Sequence, residues 1–413
     1  MNASSRPIQY CQICGAKDLK AVLFVGYIPP VNTMPAMGSV AVEQPAYPLE
    51  LLRCAKCTLV QIGLEVAPEV LFPESYPYLS GTTRILRDNF ADLQREASEL
   101  LKLDKGGLVI DIGSNDGTLL APFAEAGYRV LGIEPSQAGE VARKRGIDTL
   151  HAYFNAATAR SVREKRGQAQ LITAANVFAH IGDIHSVVDG ILELLAPRGA
   201  FVSESHYLLD LVQTLQYDTI YHEHLRYYSL GSLSHLLSEH GLEVFHVKRI
   251  PTHGGSIRVY AARKGERPVQ LSVAERFADE DRAGLKSGAA LDDFRARVVR
   301  SKLDLHALIA PIKARGERIY GIGAPSRAST LINYTGLDDG MLDAVMEVSS
   351  SHKLNKYIPG TRIPVLDEAR LFADQPEYAL LLSWHIADEL AKNLRAKGYK
   401  GKFIAPLPQP RIL

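Results

Sequence analysis

All four cysteines of this chain lie in its first 57 residues, as two C-x-x-C pairs, Cys11/Cys14 and Cys54/Cys57. Each pair suits a tight turn that can present two thiolates to one metal. Four thiolates close a tetrahedral shell around zinc and leave no position open for chemistry, so the metal is read as structural Zn2+. The spacer of about 40 residues is longer than in a compact zinc ribbon. It has room for a small sheet, with Pro29-Pro30 and Met34-Pro35 marking loops. The alternatives are two disulfides or four unrelated thiols; a cytosolic setting argues against disulfides.

Behind this unit, the run Leu108-Val109-Ile110-Asp111-Ile112-Gly113-Ser114-Asn115-Asp116-Gly117 leads into a helical pattern at Thr118. It reads as strand, glycine turn and helix. At Gly113 the backbone can approach a ligand that a Cβ would exclude. About 20 residues on, a second strand ends in Glu134, placed to accept both hydroxyls of a ribose. The turn is G-x-x-x-G, with Asp116 inside it and Asp111 just before, in place of the G-x-G-x-x-G that a pyrophosphate needs. Carboxylates suit a sulfonium and an ammonium better than they suit phosphates. The expected cofactor is therefore S-adenosylmethionine, and NAD is the rival.

A later strand, 171–180, runs into a loop that carries Asn176, Phe178 and His180 toward cofactor or substrate, since ligands sit beyond the carboxyl ends of strands in open α/β sheets. Strand and helix alternate, which predicts a mainly parallel sheet. The densest polar stretch is Tyr221-His222-Glu223-His224-Leu225-Arg226-Tyr227-Tyr228. Its histidines lack the H-E-x-x-H spacing of a metal site. Acid–base work fits better, with His224 and His222 as candidates and Glu223 or a tyrosine to orient the base. Further on, a helical stretch over 285–316 is followed by Tyr320-Gly321-Ile322-Gly323-Ala324-Pro325-Ser326-Arg327, again strand, turn and helix. The helix start near Ser326 and Arg327 is a candidate anion site, to which Lys353, Lys356 and Arg362 could add charge. Trp384, the one tryptophan, is either core or a stacking platform for a base.

Taken together, the cysteine pairs, D-I-G-S-N-D-G, N-V-F-A-H-I, Y-H-E-H-L-R-Y-Y-S and G-x-G-A-P-S-R-x-x-T-L-I-N-Y resemble the sugar C-methyltransferases of deoxysugar pathways, in order and over nearly the whole chain. The resemblance implies an α/β protein with a zinc-binding domain (1–75), a Rossmann-like methyltransferase domain (76–285) and a Rossmann-like nucleotide-sugar domain (286–413). It implies methylation at C3 of a nucleoside-diphosphate 4-keto-deoxysugar, dTDP-linked, with GDP and CDP as alternatives. His224 looks like the base, and Tyr221, Glu223 and His180 like its companions. Tyr76 resembles a tyrosine that the zinc domain contributes; Tyr78, Ser326, Arg327, Lys353 and Trp384 are the candidate substrate contacts. Two positions depart from the family pattern: Arg327 replaces a lysine, and His385 follows Trp384 in place of asparagine.

A net charge of +1 gives no field directed at nucleic acid. Neither a signal peptide nor an apolar run of roughly 20 residues is visible, so a soluble, cytoplasmic monomer or homodimer without membrane contact is expected. The rival readings are a methyltransferase for another acceptor, an NAD-dependent oxidoreductase using the C-terminal turn, and a non-catalytic zinc scaffold.

Overall fold

A computed structural model describes residues 4–72 and 79–413. Three larger sheets follow one another along the chain, beside a two-stranded pairing of Ser5–Pro7 with Leu64–Val66. The first is antiparallel and runs Arg226–Tyr227, Val60–Ile62, Tyr47–Cys54, Leu19–Ile28 across its width. Leu49 and Leu51 point into the core with the period of two that one covered face demands. The outermost strand, Arg226–Tyr227, is contributed by the polar stretch far along the chain. Arg226 pairs with Gln61 and Tyr227 with Val60.

The second sheet has seven strands, in the order Leu242–Ile250, Ser256–Arg263, Leu195–His206, Ala169–Ala175, Leu108–Ile112, Arg129–Ile133, Thr149–Leu150. The last five are parallel; the first two form an antiparallel edge. Leu108–Ile112 is buried along its whole length, as expected of a parallel strand covered on both faces. The chain enters there, builds one side, then returns to build the other. The strand order reverses between Leu108–Ile112 and Ala169–Ala175, and a ligand crevice opens at such a point. Helix Arg84–Leu101 covers one face with Leu86, Phe90, Leu93, Ala97 and Leu101, spaced by three or four residues. It is also pinned by an ionic cluster: fully buried Arg258 donates to Glu204 (2.6 Å), Glu96 (2.5 Å), Asp92 (3.1 Å) and Asn89 (3.0 Å).

The third sheet repeats the design. Its order is Lys356–Tyr357, Pro364–Asp367, Ala344–Glu347, Ile319–Ile322, Tyr378–Leu381, Lys402–Ala405, Arg411–Ile412, with five parallel strands between two antiparallel edges. The helical stretch read over 285–316 is helix Ala289–Ala314, preceded by helix Leu271–Ala283. The longer helix touches Leu19–Ile28, Leu208–Gln213 and Ser326–Thr335, one element from each region. One continuous apolar cluster runs from Cys11 and Leu49 through Ile110 and Leu233 to Ile332 and Leu380. The three units therefore share a core.

Candidate active site

The four cysteine sulfurs lie within 4.8 Å of one another. Cys11 and Cys57 Sγ are 3.4 Å apart, Cys14 and Cys54 Sγ 3.5 Å. Thiolates about 2.3 Å from one zinc ion stand a little under 4 Å apart, so the set fits a tetrahedral site. Gly15 and Thr58, each just after the second cysteine of a pair, both have positive φ (67° and 61°), which turns the chain back after the knuckle. Zinc would hold this turn near the polar stretch: the Gln12 N–H donates to Gln61 Oε1 (2.9 Å), and Gln61 Nε2 donates to the Tyr10 carbonyl (3.2 Å). Gln61 is the residue that pairs with Arg226.

At the reversal point of the central sheet, Gly113 has φ 69°, and a Cβ there would come within 2.7 Å of Val177. The next turn is closed by Glu134, whose carboxylate accepts from the Asn115 N–H (2.9 Å) and the Ser136 N–H (2.8 Å). Asp111 accepts from the Thr173 hydroxyl (2.6 Å); burial, with Glu134 and Glu204 nearby, pushes its carboxyl up to about 8. Asn176 turns with φ 57°, held by its N–H on the Glu204 carbonyl (2.8 Å), and its buried Oδ1 has no partner among the described residues. A crevice with three acidic groups and an open acceptor fits a cationic amino acid on a nucleoside. Asp116 is fully buried and occupied by the Thr118 hydroxyl (2.6 Å), the Gly81 N–H (3.0 Å) and Arg145 (3.0 Å). Phe178 is fully buried, stacked on Phe201 at 5.3 Å.

The polar stretch is folded against the loop 176–182. The Leu225 N–H donates to the Ala179 carbonyl (2.8 Å), and buried Arg226 donates to the carbonyls of Ile181 (2.5 Å) and Gly182 (2.8 Å). This stitching brings His180 and His224 together, with ring centroids 4.9 Å apart. Tyr221 lies 4.2 Å from His224 on another side. His224 Nδ1 is 2.8 Å from the Thr219 carbonyl, which can only accept. Nδ1 therefore carries the hydrogen, and Nε2 keeps its lone pair. Burial drives the His224 ring down to about 3, helped by His180, and His180 down to about 4. Both are neutral bases at physiological pH. His222 faces the other way, its Nε2 3.3 Å from the Pro48 carbonyl and its ring edge-on to Tyr47.

Two further histidines join the cluster. His206 ends strand Leu195–His206 with its ring 5.3 Å from His224, and His253 sits 5.2 Å beyond His206. Burial lowers both, His253 to about 4. His253 has φ 57° and a buried Nε2 without a partner among the described residues. Nothing in the spacing of residues 203–207 marks His206. His253, just before Gly254-Gly255, carries a weak signal: a tight turn where strand Ser256–Arg263 begins, next to the crevice.

The third sheet closes the recess. Arg327 makes a two-pronged ion pair with Asp218 (2.7 and 2.8 Å), the Trp384 indole N–H donates to the same carboxylate (2.7 Å), and the guanidinium lies over the indole. His385 Nδ1 is 3.2 Å from Arg327. Lys353 donates to the Ala324 carbonyl (2.5 Å), and Ser326 to Asn32 Oδ1 (3.3 Å). Arg327 and Trp384 thus join the domains through Asp218. Tyr76 and Tyr78, and the 75/76 boundary, lie outside the described residues.

Residues 11–72 match a zinc binding domain family, 85–247 a methyltransferase domain family, and 251–408 the C-methyltransferase C-terminal domain family. The C-methyltransferase NovU of Streptomyces niveus is 35% identical over 412 residues, covering 99% of this chain and 97% of that protein. A ubiquinone biosynthesis O-methyltransferase of Chelativorans sp. is 28% identical over 116 residues, 28% of this chain and 46% of its own length. Among solved structures, the magnesium protoporphyrin IX methyltransferase of Synechocystis covers 44% of this chain and 83% of its own, at 15% identity and TM-score 0.33.

Proposed function

This chain belongs to the family of S-adenosylmethionine-dependent C-methyltransferases, and from that premise we propose that it methylates C3 of a nucleoside-diphosphate 4-keto-deoxysugar through an enolate. The observation that carries this reading is the neutral His224 ring, its Nδ1–H tied to the Thr219 carbonyl and Nε2 left as a base. A C–H beside a ketone is acidic enough for imidazole only if the enolate oxygen is stabilised. His224 Nε2 takes the proton, and the C–H electron pair moves onto the ketone oxygen. Tyr221, packed on His224, would donate to that oxygen, where charge develops; the single N–H of neutral His180 goes to the Glu223 carbonyl. Asp111, Gly113 and Glu134 would hold S-adenosylmethionine, which would supply an electrophilic methyl group; the enolate carbon would form its C–C bond as the C–S bond broke, a step governed by alignment.

The third sheet would hold the nucleotide, dTDP first and GDP or CDP as alternatives, near Ser326 and Lys353. Arg327 and Trp384 are engaged by Asp218 and buried, so they would shape that site through Asp218. His224→Asn should abolish methyl transfer while S-adenosylhomocysteine still raises the melting temperature. Near-normal turnover in that variant would remove His224 from the role. NMR of the product separates the possible acceptors. Methyl at C3 supports the assignment; methyl at C5, the other carbon flanking a C4 ketone, keeps the enolate chemistry and moves the site. Methyl on oxygen or nitrogen overturns the reading.

A further inference from the structure

We propose that Asn32, in the zinc-binding domain, is a positioning residue that fixes the carboxylate of Glu223. The inference rests on reading Glu223 as a partner of His224. Asn32 follows Pro29-Pro30 in the turn after strand Leu19–Ile28, between buried Val31 and the catalytic stretch. Its Nδ2 donates to Glu223 Oε1 at 2.6 Å, and its Oδ1 accepts from the Ser326 hydroxyl at 3.3 Å. One side chain thus joins the zinc-binding domain, the catalytic stretch and the first turn of helix Ser326–Thr335.

The polarity of the amide makes this contact directional. A side-chain amide has one accepting end and one donating end. A serine hydroxyl can donate to Oδ1, and a carboxylate can only accept, so the two partners select one orientation. A flipped amide would set oxygen against oxygen at Glu223. Glu223 is 4% exposed, so water is a poor substitute for the bond. Gly360 of the third unit packs against the loop at Pro29, where a Cβ would come within 3.0 Å of the proline ring. Among the described residues, several charged and titratable groups face Glu223. Lys353 acts on it electrostatically from the third sheet. His222, His224 and Tyr221 adjoin it in sequence, and His180 approaches its carbonyl from the loop 176–182. Asn32 is a neutral donor to Glu223 and holds the carboxylate in one direction without neutralising it.

The test uses full-length, zinc-loaded enzyme, a dTDP-4-keto-6-deoxysugar as probe, and two readouts. One is methyl transfer; the other is exchange of the sugar C–H for deuterium in D2O without S-adenosylmethionine. Asn32→Leu should lower both rates by about ten- to a hundredfold, the size of one hydrogen bond to a charged group. KM for the sugar nucleotide should stay within about threefold. Asn32→Asp is isosteric, and sets a second carboxylate against Glu223 so that the pair shares a proton. It should move the acid limb of the exchange profile up by at least about one pH unit, which a purely structural role would not do. If Asn32→Leu does not fold, Asn32→Asp alone decides. Wild-type rates or an unmoved profile in these variants, with Glu223→Gln impaired, overturn the proposal and leave the role of Glu223 standing. Wild-type exchange in Glu223→Gln sinks the reading beneath it.

Discussion

His224 owes its uncharged state at neutral pH to what surrounds it. In the unfolded chain its ring would take up a proton near 6.5; in the fold it does so only near 3. Between these values the unfolded state binds the extra proton, so stability falls as the pH drops below about 6.5. The slope is about 1.4 kcal/mol per pH unit for each such histidine. His222, held down to about 4 by burial, adds its own share. The urea midpoint should therefore fall steeply from pH 6.5 to 5, and less steeply in His224→Asn. An unchanged slope would show that the ring is solvated. Asp111 behaves in the opposite sense. Its carboxyl, raised to about 8, is mostly protonated at pH 7. A sulfonium beside it favours ionisation, so S-adenosylmethionine should release a proton on binding and S-adenosylhomocysteine release less. Titration calorimetry in buffers of different ionisation enthalpy measures the difference. His224 and Asp111 are legible from sequence because each sits in a dense local motif. His206 and His253 are not, because their neighbours form only when strand Ser256–Arg263 pairs with Leu195–His206.

The elements differ in how far their causes lie along the chain. The strand 108–112, its glycine turn and the second strand ending at Glu134 are readable, since β-branched runs, glycine and spacing are all local. The two C-x-x-C turns are readable for the same reason. The strand Arg226–Tyr227 is not, because its partner Val60–Ile62 lies more than 160 residues away. As sequence it is only the end of a polar stretch. As structure it ties the zinc knuckle, through Gln61, to the segment that carries His224. Removing zinc should therefore stop methyl transfer while leaving the central sheet able to bind S-adenosylhomocysteine. Turnover persisting in protein shown by metal analysis to be zinc-free would break that link.

For the whole molecule, the sequence implies three units, and the structure joins them through one core and one buried ion pair. The planar fork of Arg327 meets both oxygens of Asp218 while lying over Trp384. An Asp218→Asn change leaves a buried guanidinium without its counter-charge, which costs about 3–5 kcal/mol. Calorimetry should then resolve the third sheet as a separate transition; a single transition at the wild-type temperature would show that the pair does not couple the domains. That Arg327 is held by another domain is invisible in sequence, because the helix it begins reads equally well as an open anion site.

The late arrival of Arg226–Tyr227 in the first sheet has a consequence for biosynthesis. While the ribosome is still building the central domain, Val60–Ile62 keeps a bare edge of amide and carbonyl groups, a template for any stray strand. The zinc-binding region is thus not a self-sufficient module that could be cut out and grafted elsewhere. It becomes complete when Arg226–Tyr227 is threaded into place, so maturation of the scaffold and placement of the 221–228 stretch are one event.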